Sequence, residues 1–166
     1  FRYALRWYFT RNSPLARVQV TLINDQTGSV FSNVKSAVLQ FQLPAANGEV
    51  TLPAVGTVQA PVEVLQTYDN QFRAQTPQGE KSGERFPGWL QWQGGAQKFS
   101  LAVRNFWQLY PKALAVRGDT LEIGLAPPVD AATYARFKGT VEEYRSVYYL
   151  MDGNYKLRAG VSFTTE

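Results

Sequence analysis

Short runs in which apolar and polar residues strictly alternate recur along the whole chain, each closed off by turn-forming residues. In the first, Phe1, Tyr3, Leu5, Trp7 and Phe9 fall on one face and Arg2, Ala4, Arg6 and Tyr8 on the other. A period of two belongs to the strand, whose successive side chains point to opposite sides, so this run predicts a strand with its aromatic face buried. Asn12-Ser13-Pro14 supplies turn chemistry. Val18, Val20 and Leu22 then alternate with Gln19 and Thr21 and predict the antiparallel hairpin partner. A second turn spans Asn24 to Gly28. From Lys35 to Leu43 the set Ala37, Leu39, Phe41 and Leu43 forms a core face against Ser36, Val38, Gln40 and Gln42.

The middle of the chain continues in the same manner. Val50-Thr51-Leu52 is a short strand, and Val62 to Asp69 a longer one. Between Asn70 and Gly88 hydrophobic residues nearly vanish in favour of Gln, Thr, Pro, Gly, Glu and Lys, which predicts a long exposed loop. Trp89 to Trp92, the Gly94-Gly95 pair and Lys98 to Val103 read as a hairpin. Arg117-Gly118-Asp119 matches an adhesion tripeptide in letters, but a Gly-Asp turn between strands is a sufficient cause for it. Leu121, Ile123 and Leu125 alternate up to Pro127-Pro128.

Asp130 is placed to cap a helical turn through Tyr134. Residues 141–151 fit a helical stripe (Val141, Tyr144, Tyr148, Met151) and a strand equally well. Asp152-Gly153-Asn154 is a turn, and Tyr155 to Phe163 alternates as a single closing strand. About ten strands with little helix predict an all-β protein, an antiparallel β-sandwich of supersandwich type with one long exposed loop.

Composition narrows the chemistry. A length of 166 residues suits one domain with a sizeable core. The chain opens in mid-strand at Phe1, and the expectation is a single sandwich domain, 1–166, cut from a longer multidomain protein. Cys and His are both absent, so disulfides, thiolate nucleophiles, serine-type triads and most zinc sites have no residues to build on. No metal-ligand spacing, phosphate loop or dinucleotide fingerprint occurs, and no cofactor is expected. No apolar run approaches a membrane span. The net charge of +4 is not gathered into runs; it favours an anionic ligand and falls short of the basic stripe that nucleic acid requires. Glu142-Glu143, the one adjacent carboxylate pair, reads as a solvated edge.

One stretch departs from simple alternation, Leu101 to Val116. Phe106, Trp107 and Tyr110 offer flat apolar surface, while Arg104, Lys112 and Gln108 offer directional donors. Such a mixture suits a sugar ring stacked on an aromatic, its hydroxyls read by an amide and its carboxylate gripped by a guanidinium. The same aromatics also serve as core filler, or as a brace against a neighbouring domain. On residue chemistry alone these alternatives stay open.

The run Val103-Arg-Asn-Phe-Trp-Gln-Leu-Tyr-Pro-Lys-Ala-Leu114, its Gly-Asp turn and Leu121-Glu-Ile-Gly-Leu-Ala-Pro-Pro128 resemble a signature of the exo-acting rhamnogalacturonan lyase family and its bacterial relatives. That family carries an Arg-Asp-Phe-Trp-Gln-x-x-Pro-Lys run in a central β-sandwich, between a small β-barrel and an α/α-barrel. Gly88-Trp89-Leu90, the opening run through Asn24 and the closing Asp152-Gly-x-Tyr155-x-Leu157-x-x-Gly160 also fit. Two positions depart: Asn105 stands for an Asp, and Thr165 for a His before the final Glu166. The resemblance implies an acidic polysaccharide or oligosaccharide as ligand and neighbouring domains of the same chain as partners. It further implies a secreted or periplasmic setting, with Arg104, Trp107, Gln108, Tyr110 and Lys112 as substrate-binding residues. It leaves the catalytic residues unassigned, and this domain shapes the groove or braces a catalytic barrel.

Overall fold

The computed structural model describes residues 1–46 and 48–166. The chain divides into two compact units: Phe1–Lys35 with Asp130–Glu166, and the intervening Ser36–Val129. Antiparallel sheets dominate both, as the period-two runs require.

The first unit begins with the hairpin β1 (Arg2–Phe9) and β2 (Ala16–Ile23), in register with Leu5 opposite Val20 and Trp7 opposite Val18. The strand is as expected, but its aromatic face is not buried. Tyr3 and Phe9 are each 76% exposed and Trp7 45%. Alternation fixes which side chains share a face; it does not supply the layer that covers them. A short strand that the sequence reading left out, β3 (Phe31–Val34), completes this first pass.

The second unit contains β4 (Ala37–Gln42), β5 (Glu49–Leu52), β6 (Gly56–Gln59), β7 (Val62–Tyr68), β8 (Gln71–Thr76), β9 (Gly79–Gly83), β10 (Trp89–Gly94), β11 (Gln97–Ala102), β12 (Lys112–Arg117) and β13 (Thr120–Ala126). They form a six-stranded sheet, β4-β13-β12-β7-β8-β9, and a four-stranded sheet, β11-β10-β5-β6. Val64, Leu114, Val116 and Leu121 of the first and Val50, Leu90 and Trp92 of the second are at most 1% exposed. Phe41 on β4 meets Phe99 on β11, joining the two sheets with ring centroids 6.4 Å apart. This is the expected sandwich. Each large apolar side chain sealed in it contributes about 1.5–3 kcal/mol relative to exposure.

The expected loop at 70–88 is exposed over all of β9, yet it is a hairpin that widens the six-stranded sheet, with Thr76 opposite Gly79. Its few apolar residues do the anchoring: Phe72, Ala74 and Phe86 are buried. Polar composition hid it because an edge strand needs only one covered face, and a sparse one suffices. Across the neighbouring strands β7, β12, β13 and β4, Arg117 bridges Glu63 (2.5 Å) and Glu122, and Gln40 donates to Glu122. The Arg-Gly-Asp turn thus has its arginine engaged twice by its own sheet.

The chain then returns to the first unit. Asp130 caps α1 (Ala131–Tyr134), its carboxylate accepting from the Ala132 amide at 2.9 Å. Residues 143–150 resolve as helical, a π-helical turn at Glu143–Val147 followed by a 3-10 turn, with Val147 and Leu150 buried. Glu143 accepts from the Gly139 amide, and Glu142 is exposed. The expected single closing strand is two. β14 (Tyr155–Arg158) pairs with β3, and β15 (Ser162–Thr165) joins β2 in the sheet β1-β2-β15. The break falls at Gly160, whose φ of +78° is open to glycine.

Asn24 holds that corner together. Fully buried, it donates to the Leu157 carbonyl (2.8 Å) and accepts from the Gln26 amide and the Ser32 hydroxyl. Its backbone meets Val161 and Gly160. Among the described residues no helix is long and apolar enough to cross a membrane.

Candidate functional site

The irregular segment 103–111 joins β11 to β12 in the second unit, and two hydrogen bonds set its path. The Val103 amide donates to the Gly88 carbonyl (2.7 Å), and the Leu109 amide to the Asn105 carbonyl (2.9 Å). Asn105 has φ +54°, a region that Asn and Asp tolerate better than other non-glycine residues. Either side chain therefore serves the backbone at this position. The Tyr110–Pro111 peptide is cis.

Folding sorts the aromatics of this segment. Phe106 is buried and extends an edge-to-face series, Phe72 to Phe86 to Phe106, with centroids 5.5 Å apart at each step. It belongs to the core. Trp107 is half-buried, and the Arg85 guanidinium lies over its ring at 4.4 Å. Tyr110, also half-buried, meets Tyr68 edge-on at 4.9 Å. Arg104 and Gln108 are exposed on the same segment.

Lys112 takes a different position from the other expected ligands. Only 4% exposed, it sends its ammonium inward to the Leu125 carbonyl. Burial pushes its pKa down to about 8 from an ordinary 10.5, since the apolar interior disfavours the charged form. Lys112 is thus buried where Arg104 is exposed.

The positioning of Arg85 traces to a residue that pattern reading passed over. Gln66, fully buried on β7, donates to the Tyr68 carbonyl (2.6 Å) and the Glu84 carbonyl (2.9 Å) and accepts from the Phe86 amide (2.9 Å). It grips the backbone on both sides of Arg85. Arg85 in turn reaches the Asp69 carbonyl through Nε at 3.4 Å. Asp69 carries a buried carboxylate oxygen, Oδ1, without a hydrogen-bond partner among the described residues. A signal for Gln66 did exist: it shares the phase of Val62 and Val64, a polar residue in a core slot. Arg85 and Asp69 carry none, because they sit in or beside the polar run whose composition predicts a loop.

The segment carries an aromatic with a cation already stacked on it, a tyrosine edge-on to Tyr68, and an exposed arginine and primary amide. Such groups bind and orient an anionic, ring-shaped ligand. Among the described residues, no cluster of three or more carboxylates is placed to hold a metal ion. No protein-family model matches this chain, and no curated protein matches it either.

Proposed function

We propose that this chain is the central β-sandwich of a polysaccharide-processing protein resembling the exo-rhamnogalacturonan lyases, secreted or periplasmic, in which it shapes an acidic-sugar groove or braces a catalytic α/α-barrel. The observation that carries this reading is the Arg85–Trp107 pair at 4.4 Å, on a segment that also carries Arg104, Gln108 and Tyr110. A uronate offers the apolar face of its ring to such an aromatic and its carboxylate to a guanidinium fork. β-Elimination of a uronate needs a neutralised carboxylate, a base for the C5 proton and an acid for the leaving oxygen. The residues here supply the first of these, so the chain binds and orients while a neighbouring domain carries the reaction.

A non-catalytic carbohydrate-binding or cell-surface interaction module is the second reading, favoured by the inward turn of Lys112, which leaves recognition groups at the surface. Titration of the chain with oligogalacturonides and rhamnogalacturonan fragments tests both. Trp107→Ala and Arg104→Ala should each weaken binding about tenfold or more, the scale of a lost stacking or charge-assisted contact. Unchanged affinity in both variants assigns the segment to packing. Ultraviolet absorbance from unsaturated products, followed in the longer protein, separates a lyase from a binding module.

A further inference from the structure

The first unit gathers aromatic faces and cations at a second place, on the two-stranded sheet of β3 and β14. Phe31 stands directly opposite Arg158 and Asn33 opposite Lys156, so these four side chains share one face. The 3-10 turn at Tyr148–Leu150 sets its tyrosines against that face. Tyr149 meets Phe31 at 5.9 Å, Tyr148 meets Tyr149 edge-on at 5.4 Å, and the Lys156 ammonium lies over the Tyr148 ring at 5.0 Å. Val147 and Leu150 anchor the turn from below, buried, while Tyr148 and Tyr149 stay 40% and 49% exposed.

An open cleft of about 490 Å³ adjoins this face, between residues 27–30 and Arg158–Ala159. That volume falls in the range of roughly 300–1,000 Å³ common to small-ligand sites. Its walls are tied together: the Ala159 amide donates to the Val30 carbonyl (2.9 Å), and the Ser29 hydroxyl to the Phe31 carbonyl (2.8 Å). The two cations have different commitments. Lys156 is paired with Asp152 at 2.5 Å, whereas Arg158 is exposed and has no ion pair among the described residues. Of the 17 cations and 13 acids in the chain, ten and six lie in the first unit, so the net +4 resides there and draws anions toward it.

We propose that this face and its cleft form a second binding site for an acidic sugar, with Arg158 gripping the carboxylate and Tyr149 stacking on the ring. Phe31 is the neighbour the two share: Tyr149 touches its ring, and Arg158 faces it across the ladder. A guanidinium without an internal acid holds a carboxylate in two parallel bonds, and an exposed aromatic takes the apolar face of a sugar. The cleft walls supply the Thr27 hydroxyl for the sugar's own hydroxyls. A bare anion would leave the tyrosines unused, and a neutral sugar would leave Arg158 unused. The site rests on the acidic-sugar reading above, but on none of the residues of segment 103–111.

Amide chemical shifts of the isotope-labelled chain, titrated with digalacturonate, test the site in place. Amides of 27–31 and 156–160 should shift saturably, and added salt should weaken the binding read there. Arg158→Gln and Tyr149→Ala should each weaken it about tenfold or more, with the response at 104–110 unchanged. Trp107→Ala should do the reverse. Both new variants lie at exposed positions, and each variant's amide spectrum reports whether its sheets are intact. Digalactose and inorganic phosphate should leave 27–31 unmoved. A response confined to 104–110, or one at 27–31 that survives Arg158→Gln, overturns this site and leaves the acidic-sugar reading standing. An equal response at 27–31 to digalactose or to phosphate overturns the ligand class assigned to it. No response in either place overturns this site and that reading together.

Discussion

Phe106 packs directly over Gly88, so closely that a methyl group added to Gly88 meets the Phe106 Cβ at 2.3 Å and the Val103 carbonyl oxygen at 2.8 Å. Gly88 also has φ +82°, where an L side chain is strained in any case. The contact locks segment 103–111 to the start of β10. Gly88→Ala is expected to destabilise the protein by about 2–4 kcal/mol through strain and overpacking together. Urea denaturation checks this; a midpoint within error of the parent would show that the segment yields freely.

Gln66 is the second control on the same site. Gln66→Leu retains the volume but leaves the Glu84 and Tyr68 carbonyls and the Phe86 amide unpaired, at about 2–3 kcal/mol. Because it holds the backbone around Arg85, oligogalacturonide affinity should fall as well, although Gln66 is itself fully buried. Gln66→Glu, which still accepts from the Phe86 amide, should leave that one contact intact. Calorimetric titration of both variants decides whether loss of affinity follows loss of the clamp.

Lys112 sets a pH dependence whose sign is fixed by burial. Its folded pKa of about 8 lies below the ordinary 10.5, so between these values the unfolded chain binds more protons. Stability should therefore rise with pH from about 8, by at most about 3 kcal/mol. Tyr155 works in the opposite sense. Desolvation, reinforced by Tyr134, raises its phenol far above its ordinary 10, so its stabilising contribution is lost as pH climbs past 10. Denaturant melts at half-unit intervals should show a rise and then a turn near pH 10. Lys112→Met should remove the rise and keep the turn; a parent profile flat from pH 7 to 10 would contradict the assignment.

Asn24 concentrates the stability of the first unit in one amide. Asn24→Ala removes bonds to Leu157, Gln26 and Ser32 from a fully buried position and should cost about 3 kcal/mol. Amide hydrogen exchange should locate the loss in 1–35 and 130–166, with β12 and β13 retaining protection. Equal deprotection throughout would mean that the two units unfold as one.

The strands were legible where local pattern and turn chemistry agreed. Both hairpins, β1–β2 and β10–β11, follow from alternation closed by turn residues, and the Asp130 cap from its position before an Ala-rich turn. What the residues could not reveal depended on partners distant in sequence. Gly160 marks the break between β14 and β15, but the choice of sheet is made by β3 and β2 more than a hundred residues earlier. The polar hairpin β8–β9 was hidden since its apolar anchors, Phe72 and Phe86, are few and widely spaced. The candidate site was half legible. Trp107 and Tyr110 stood out by type, but Arg85 reaches Trp107 only through the Gln66 clamp, and the depth of Lys112 depends on β13. Whether the aromatic face of β1 is covered is likewise no property of its own residues.

The ladder between β4 and β13 ends with Ala37 opposite Ala126, so the strands that lead into and out of the second unit run side by side. At that pair the two strands are about one strand spacing apart, roughly 5 Å. Residues 36–129 are a closed insertion, with every one of their strand partners inside the segment. During synthesis the inserted unit has all its strands as soon as residue 129 leaves the ribosome. The host unit must hold β1, β2 and β3 in waiting until β14 and β15 arrive, with the Trp7–Phe9 stripe in the open throughout.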